Sequence, residues 1–152
     1  MTSTTGRRFR SVAEFAVDPA FQAGSIAVGE LPLCQVRLQA DARWPWLILI
    51  PRRPGLREVE DLSAADRARL IEETVLAGQA VRALGAATGF TVEKLNIGAL
   101  GNVTPQLHVH VVGRRAGDAA WAGPVWGVGV AEAYGDAALE AAMAAVRGML
   151  AL

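Results

Sequence analysis

The chain has 152 residues, 52% of them hydrophobic, and its 15 acidic and 15 basic side chains give a formal charge of zero. This length is expected to make one domain with a core of useful size. No apolar run is long enough for a membrane span, and a balanced charge gives no electrostatic footing for nonspecific nucleic-acid binding.

A lone cysteine, Cys34, excludes an internal disulfide, and the charged residues 1–10 have no apolar stretch behind them. No signal peptide is therefore expected, and a cytoplasmic protein is.

Residues 1–8 read as a flexible tail, with the domain occupying 9–152. Asp18 before Pro19 opens a short helical turn through Ala23, Asp being a good N-cap and Pro a good first helical residue. Residues 25–28 read as a short strand, followed by a turn at Gly29 and Glu30. From Leu33 to Gln39 the pattern alternates. Leu33, Gln35, Arg37 and Gln39 share one side; Cys34, expected to be a buried thiol, shares the other with Val36 and Leu38. Residues 41–43 turn the chain into a strand over 46–50, an antiparallel hairpin that Pro51 ends.

Ser63-Ala64-Ala65-Asp66 makes a capping-box-like start, with Asp in place of the usual Glu. A long helix is predicted from there to about Leu84, with Gly85 as its stop. Leu70, Ile71, Val75, Leu76, Val81 and Leu84 are expected on its buried face. Residues 94–99 form a strand that returns through Leu100, Gly101 and Asn102. After Arg115, residues 118–134 are rich in Gly, Ala, Pro and Trp and read as a loop. Its Trp121 and Trp126 need apolar partners, and capping the core or a dimer seam is the favoured role. Asp136 is predicted to cap a last, Ala-rich helix over 137–150. The fold class is α+β: an antiparallel sheet with one long helix packed on it and a C-terminal helix.

The only two histidines stand in the run Gln106-Leu107-His108-Val109-His110-Val111-Val112. Strand alternation puts Gln106, His108 and His110 on one face and Leu107, Val109 and Val111 toward the core. Gly101 to Pro105 reads as a tight loop whose backbone can approach a ligand. The spacing alone admits three roles: structural histidines, a pair that handles protons or phosphate oxygens, and two imidazoles on one metal ion. The third role needs a further ligand that no nearby spacing supplies, so no metal is expected.

This run resembles the signature of the histidine-triad (HIT) superfamily, His-x-His-x-His-x-x, with Gln106 at the first histidine. Gly101-Asn102-Val103 resembles the family's Gly-Gln-Ser/Thr phosphate loop. Trp46-Leu47-Ile48-Leu49-Ile50-Pro51 resembles its His-x-Leu-Val-Ile-Pro strand. The resemblance spans residues 31–115 and is closest to a bacterial branch with Gln at the first triad position and a Trp-rich tail. It implies a homodimer, a nucleotide small-molecule substrate and no cofactor. It also implies a nucleotide hydrolase that passes through a covalent nucleotidyl-histidine.

Residue by residue, His108 matches the nucleophile, and a backbone carbonyl on one of its ring nitrogens would leave the other free to attack. His110 matches the third histidine, which hydrogen-bonds the phosphate. Asn96 and Asn102 match substrate-contacting positions, Asp41 the ribose-binding acid, and Gln106 keeps an orienting role without proton chemistry. Family members also bring C-terminal residues near the site, which offers Trp121 or Trp126 a place beside a base. Trp46 replaces a further family histidine that delivers a proton to the leaving group. General-acid help is worth about 10²–10⁴ in rate. Its loss favours a dinucleoside polyphosphate or nucleotidyl ester over a phosphoramidate. A nucleotidyltransferase and a noncatalytic nucleotide-binding protein are the alternatives.

Overall fold

The computed structural model describes residues 13–152; the expected tail over 1–8 and the start of the domain at 9–12 lie outside them. In chain order the elements are α1 (Pro19–Gly24), β1 (Ser25–Glu30), β2 (Cys34–Gln39), β3 (Trp46–Pro51), a 3-10 turn (Val59–Asp61), α2 (Ala64–Thr88), β4 (Lys94–Gly98), β5 (Val109–Arg114) and α3 (Asp136–Leu150). The five strands form one sheet in the order β1-β2-β3-β5-β4, every neighbouring pair antiparallel. The α+β architecture read from the sequence is the one observed.

The β2–β3 hairpin pairs Cys34 with Pro51 and Leu38 with Leu47. Every residue of β3 is buried, because both faces of this central strand are covered. Leu47 and Leu49 join Val36, Leu38, Val109 and Val111 against α2 and α3. Trp46, Ile48 and Ile50 turn to the other face, where they pack with Phe21, Trp44, Val112 and Val125. The sheet is thus sandwiched, and its second face carries the two histidines.

The long helix departs from expectation in two places. It runs through Gly85 to Thr88 and ends at Gly89, whose left-handed φ of 78° is costly for a residue with a Cβ. Gly85 serves close packing instead, since a Cβ there would meet the carbonyl oxygen of Phe90 at 2.3 Å. Second, Ile71, Val75 and Leu76 are 62%, 54% and 40% exposed, so half of the predicted apolar face points away from the sheet. The inward face is built from Leu70, Thr74, Ala77, Gly78, Val81 and Leu84, where small residues let the helix lie close to the strands.

Glu73 is also turned inward. Its carboxylate accepts the backbone N–H groups of Leu33 and Cys34 at 2.7 and 2.8 Å, which satisfies the charge and anchors the start of β2. The neighbouring Cys34 is a buried free thiol, its pKa driven up by burial and then by Glu73.

At the far end, Gly135 is the N-cap of α3 and makes no side-chain bond; Asp136, the expected cap, is the first helical residue and faces the helix dipole. No helix among the described residues is long and apolar enough to cross a membrane.

Candidate active site

The site lies where the loop before β5 meets the face of β3 turned away from α2. His108 immediately precedes β5, and His110 is its second residue, paired with Ile48 of β3 and Gly98 of β4. Leu107, Val109 and Val111 point into the helix-side core as the alternation predicts. The two imidazoles therefore emerge together, with ring centroids 4.7 Å apart and planes at 81°. They open into a cavity of about 410 Å³, within the range of small-molecule sites. Phe21 of α1 stands edge-on to His108 at 4.7 Å, and Trp126 edge-on to His110 at 5.5 Å. Asn102 and Thr104 of the glycine loop form a further wall.

Each histidine has one ring nitrogen engaged. His108 Nδ1 lies 2.6 Å from the carbonyl oxygen of Gln106. A carbonyl can only accept, so Nδ1 carries the proton and Nε2 keeps its lone pair when the ring is neutral. Burial lowers the His108 pKa, partly offset by the Gln106 carbonyl, which favours that neutral ring. His110 Nδ1 receives the indole N–H of Trp46 at 3.0 Å. Burial, then the neighbouring His108, pushes the His110 pKa down to about 3.

The other expected site residues are distributed unevenly. Asn102 lines the cavity. Gln106 lies beside it with both ends of its amide committed: Oε1 accepts from Asp18 N at 2.9 Å and Nε2 donates to Ala16 O at 2.8 Å. The side chain thus pins the segment leading into α1, while its backbone carbonyl orients His108.

Asn96 sits on β4 and accepts from Arg114 Nη1 at 2.7 Å; it does not line the cavity. Asp41 is also outside it, held by the Arg43 guanidinium at 2.7 Å and by the backbone N–H of Glu132. Burial alone would raise its pKa, but the bonds from Arg43 and Glu132 hold the carboxyl below its ordinary value.

Two residues earlier in the chain, Gln39 does line the cavity. Its alternation with Gln35 and Arg37 was the available signal. Phe21 and Ile48 also went unnoticed as wall residues. Ile48 shares the face of Trp46 by strand alternation, whereas nothing in the short α1 segment marks Phe21. Of the two loop tryptophans, Trp126 is the one at the site; Trp121 is 48% exposed, with the Arg114 guanidinium 5.7 Å from its ring.

Residues 20–117 match the HIT domain family, and the chain belongs to that family, which includes nucleotide hydrolases and transferases. Solved histidine triad proteins agree over nearly the whole chain. The one from Sinorhizobium meliloti is 46% identical, with a TM-score of 0.80, covering 88% of this chain and 96% of that one. Those from Bradyrhizobium japonicum and Marinobacter aquaeolei are 38% and 34% identical, each with a TM-score of 0.84 and 91% of this chain covered, against 99% and 98% of theirs. A search of curated proteins found no match.

Proposed function

We propose that this protein hydrolyses a nucleotidyl phosphoanhydride or ester of the dinucleoside polyphosphate type through a covalent nucleotidyl-His108 intermediate. The observation that carries the reading is the Gln106 carbonyl on His108 Nδ1, which leaves Nε2 as a free nucleophile beside the cavity. In the first step the Nε2 lone pair attacks the nucleotidyl phosphorus. An N–P bond forms, the P–O bond to the remaining phosphates breaks, and its electron pair leaves on oxygen. The positive charge gathering on the ring is stabilised through Nδ1–H on the Gln106 carbonyl. In the second step water attacks the same phosphorus, the N–P bond breaks, the water proton is released and neutral His108 returns. In this reading Asn102 and the N–H of His110, both at the cavity, donate to the phosphate oxygens.

Among the described residues lining the cavity, the two imidazoles are the only titratable side chains. Neither is set up as a general acid, so the leaving group must depart without a proton. A polyphosphate does so readily and an amine does not. We expect kcat/KM for a dinucleoside polyphosphate to exceed that for a nucleoside phosphoramidate by about 10²-fold in one assay, the lower end of what general-acid help is worth. Preference for the phosphoramidate would sink this substrate assignment.

Within the family, we assign the chain on the strength of Gln106 to a branch with glutamine at the first triad position. A cytoplasmic setting accords with the single reduced, buried cysteine.

The same reading includes a homodimer. β4 is an edge strand, and its Ile97 is 55% exposed. With Leu95 and with Ile71 and Val75 of α2 it lines an apolar groove, a face suited to a second copy. Sedimentation equilibrium is expected to give the dimer mass, and Ile97→Asp to shift it toward the monomer. A wild-type monomer at micromolar concentration would count against the assembly.

A further inference from the structure

Trp46 stands where the resemblance has a histidine, and its single polar atom is spent on the catalytic strand. The indole N–H points at His110 Nδ1 at 3.0 Å. An indole nitrogen donates and cannot accept, so the nitrogen it meets must bear a lone pair. The one proton of a neutral His110 is then on Nε2. Protonating Nδ1 would set two N–H groups against each other in a buried space. The indole has little room to turn away. Trp44 packs edge-on to it at 6.3 Å and Trp126 at 6.1 Å, while Trp46 itself lies edge-on to His110 at 5.5 Å.

The surroundings of His110 offer no competing charge. From β3 it meets Trp46 and Ile48, from β4 the glycine Gly98, and from the C-terminal loop Trp126. Its one titratable neighbour among the described residues is His108, also uncharged in the resting site and, when charged, a source of repulsion to any proton on His110.

We propose that Trp46 is a positioning residue that locks His110 as the neutral Nε2–H tautomer. His110 is thereby a fixed hydrogen-bond donor to the substrate phosphate and not a carrier of protons, a role that rests on the hydrolase reading above. A histidine at position 46 could donate or accept and would let the proton on His110 move between nitrogens; a tryptophan cannot. The indole contact is thus a static one, through which no proton can pass. That is consistent with a substrate whose leaving group needs no proton.

Because the chain has only two histidines, ¹⁵N-histidine labelling isolates the question. Two-bond ¹⁵N–¹H correlation spectra of the substrate-free protein read each tautomer directly. His110 is expected to give the Nε2-protonated pattern, unchanged from about pH 8 to about pH 5, where an ordinary imidazole would titrate. In Trp46→Phe, which keeps an aromatic ring and loses the N–H, the His110 pattern should become a tautomer mixture or begin to titrate. The His108 pattern, held by Gln106, should stay and so report an intact fold. Activity of Trp46→Phe should drop about tenfold in kcat with KM little changed, less than the 10²–10³ of deleting a donor outright.

A wild-type His110 carrying its proton on Nδ1, or titrating near the ordinary value, overturns the proposal, as does an unchanged His110 in Trp46→Phe. Should the variant fail to fold, the wild-type spectrum alone decides. The spectra need no substrate, so absence of hydrolysis would count against the hydrolase reading while leaving the tautomer result to stand or fall separately.

Discussion

Replacing His108 with alanine is expected to lower dinucleoside polyphosphate turnover by about 10⁴-fold or more, the scale of loss when a covalent nucleophile is removed. No other group at the cavity can take its place. His110 is the one other imidazole, and its Nδ1 is occupied by the Trp46 indole while its Nε2 carries the proton. It therefore offers no lone pair to phosphorus. Alanine at 110 removes a hydrogen-bond donor and leaves the nucleophile in place, so the loss there should be smaller, about 10²–10³. The order of the two effects matters more than either size. Equal losses would mean that the histidines act as a unit, with proton exchange between them. Both activities are read by steady-state release of mononucleotide, with folding checked by circular dichroism.

The second large effect is on stability. Arg114 at the end of β5 and Asp118 form an ion pair at 2.7 Å with both side chains 1% exposed. The guanidinium makes a second bond to the same carboxylate at 2.9 Å and a third to Asn96 at 2.7 Å. Asp118 also accepts from the backbone N–H groups of Arg115 and Ala120. The pair thus fastens the start of the loop that carries Trp126 to His110.

Asp118→Ala strands a buried guanidinium, and such losses cost about 3–5 kcal/mol. For a chain of this size that corresponds to roughly 6–20 °C in Tm. Arg53→Ala, which removes a half-exposed ion pair with Asp66, should change stability by about 0–1 kcal/mol. A differential scanning calorimetry comparison in which the two variants melt alike would refute the buried-pair account. The sign of the acid response is also fixed. Burial alone would raise the Asp118 pKa, but bonds from Arg114 and the backbone hold it well below its ordinary value. Its contribution is full above that ordinary value and is lost as pH falls toward the depressed one.

The sheet was legible because its strands obey simple alternation. β2 alternates apolar and polar residues, β5 begins the same way, and the central β3 reads as a continuous apolar run. The face of the candidate site follows the same rule, since residues 108 and 110 are two apart on one strand face. The α2 boundaries and face were less legible. Gly85 carries the composition of a helix stop yet is there to let Phe90 approach, and the real stop is four residues on. Ile71 and Val75 look like core residues, whereas Glu73 is the one turned inward. A single sequence does not distinguish an apolar face set against the sheet from one turned away from it.

At the site, the orienting carbonyl was anticipated in kind, but the residue that supplies it was not. Nor could pattern alone place Asp41. The chain leaves the strand after Gln39 and turns, which carries the acid to Arg43 and away from the cavity. The contact least visible in sequence was the indole of Trp46 on His110, since strand order, and not chain order, brings residues 46 and 110 together.

The most direct test of the central claim is intact-protein mass spectrometry after a brief, acid-free quench with diadenosine polyphosphate, with wild type and His108→Ala run side by side. The account predicts a nucleotidyl adduct on the wild-type protein and none on the variant. An adduct that persists in His108→Ala, or nucleotide bound by wild type with neither adduct nor product, would contradict it.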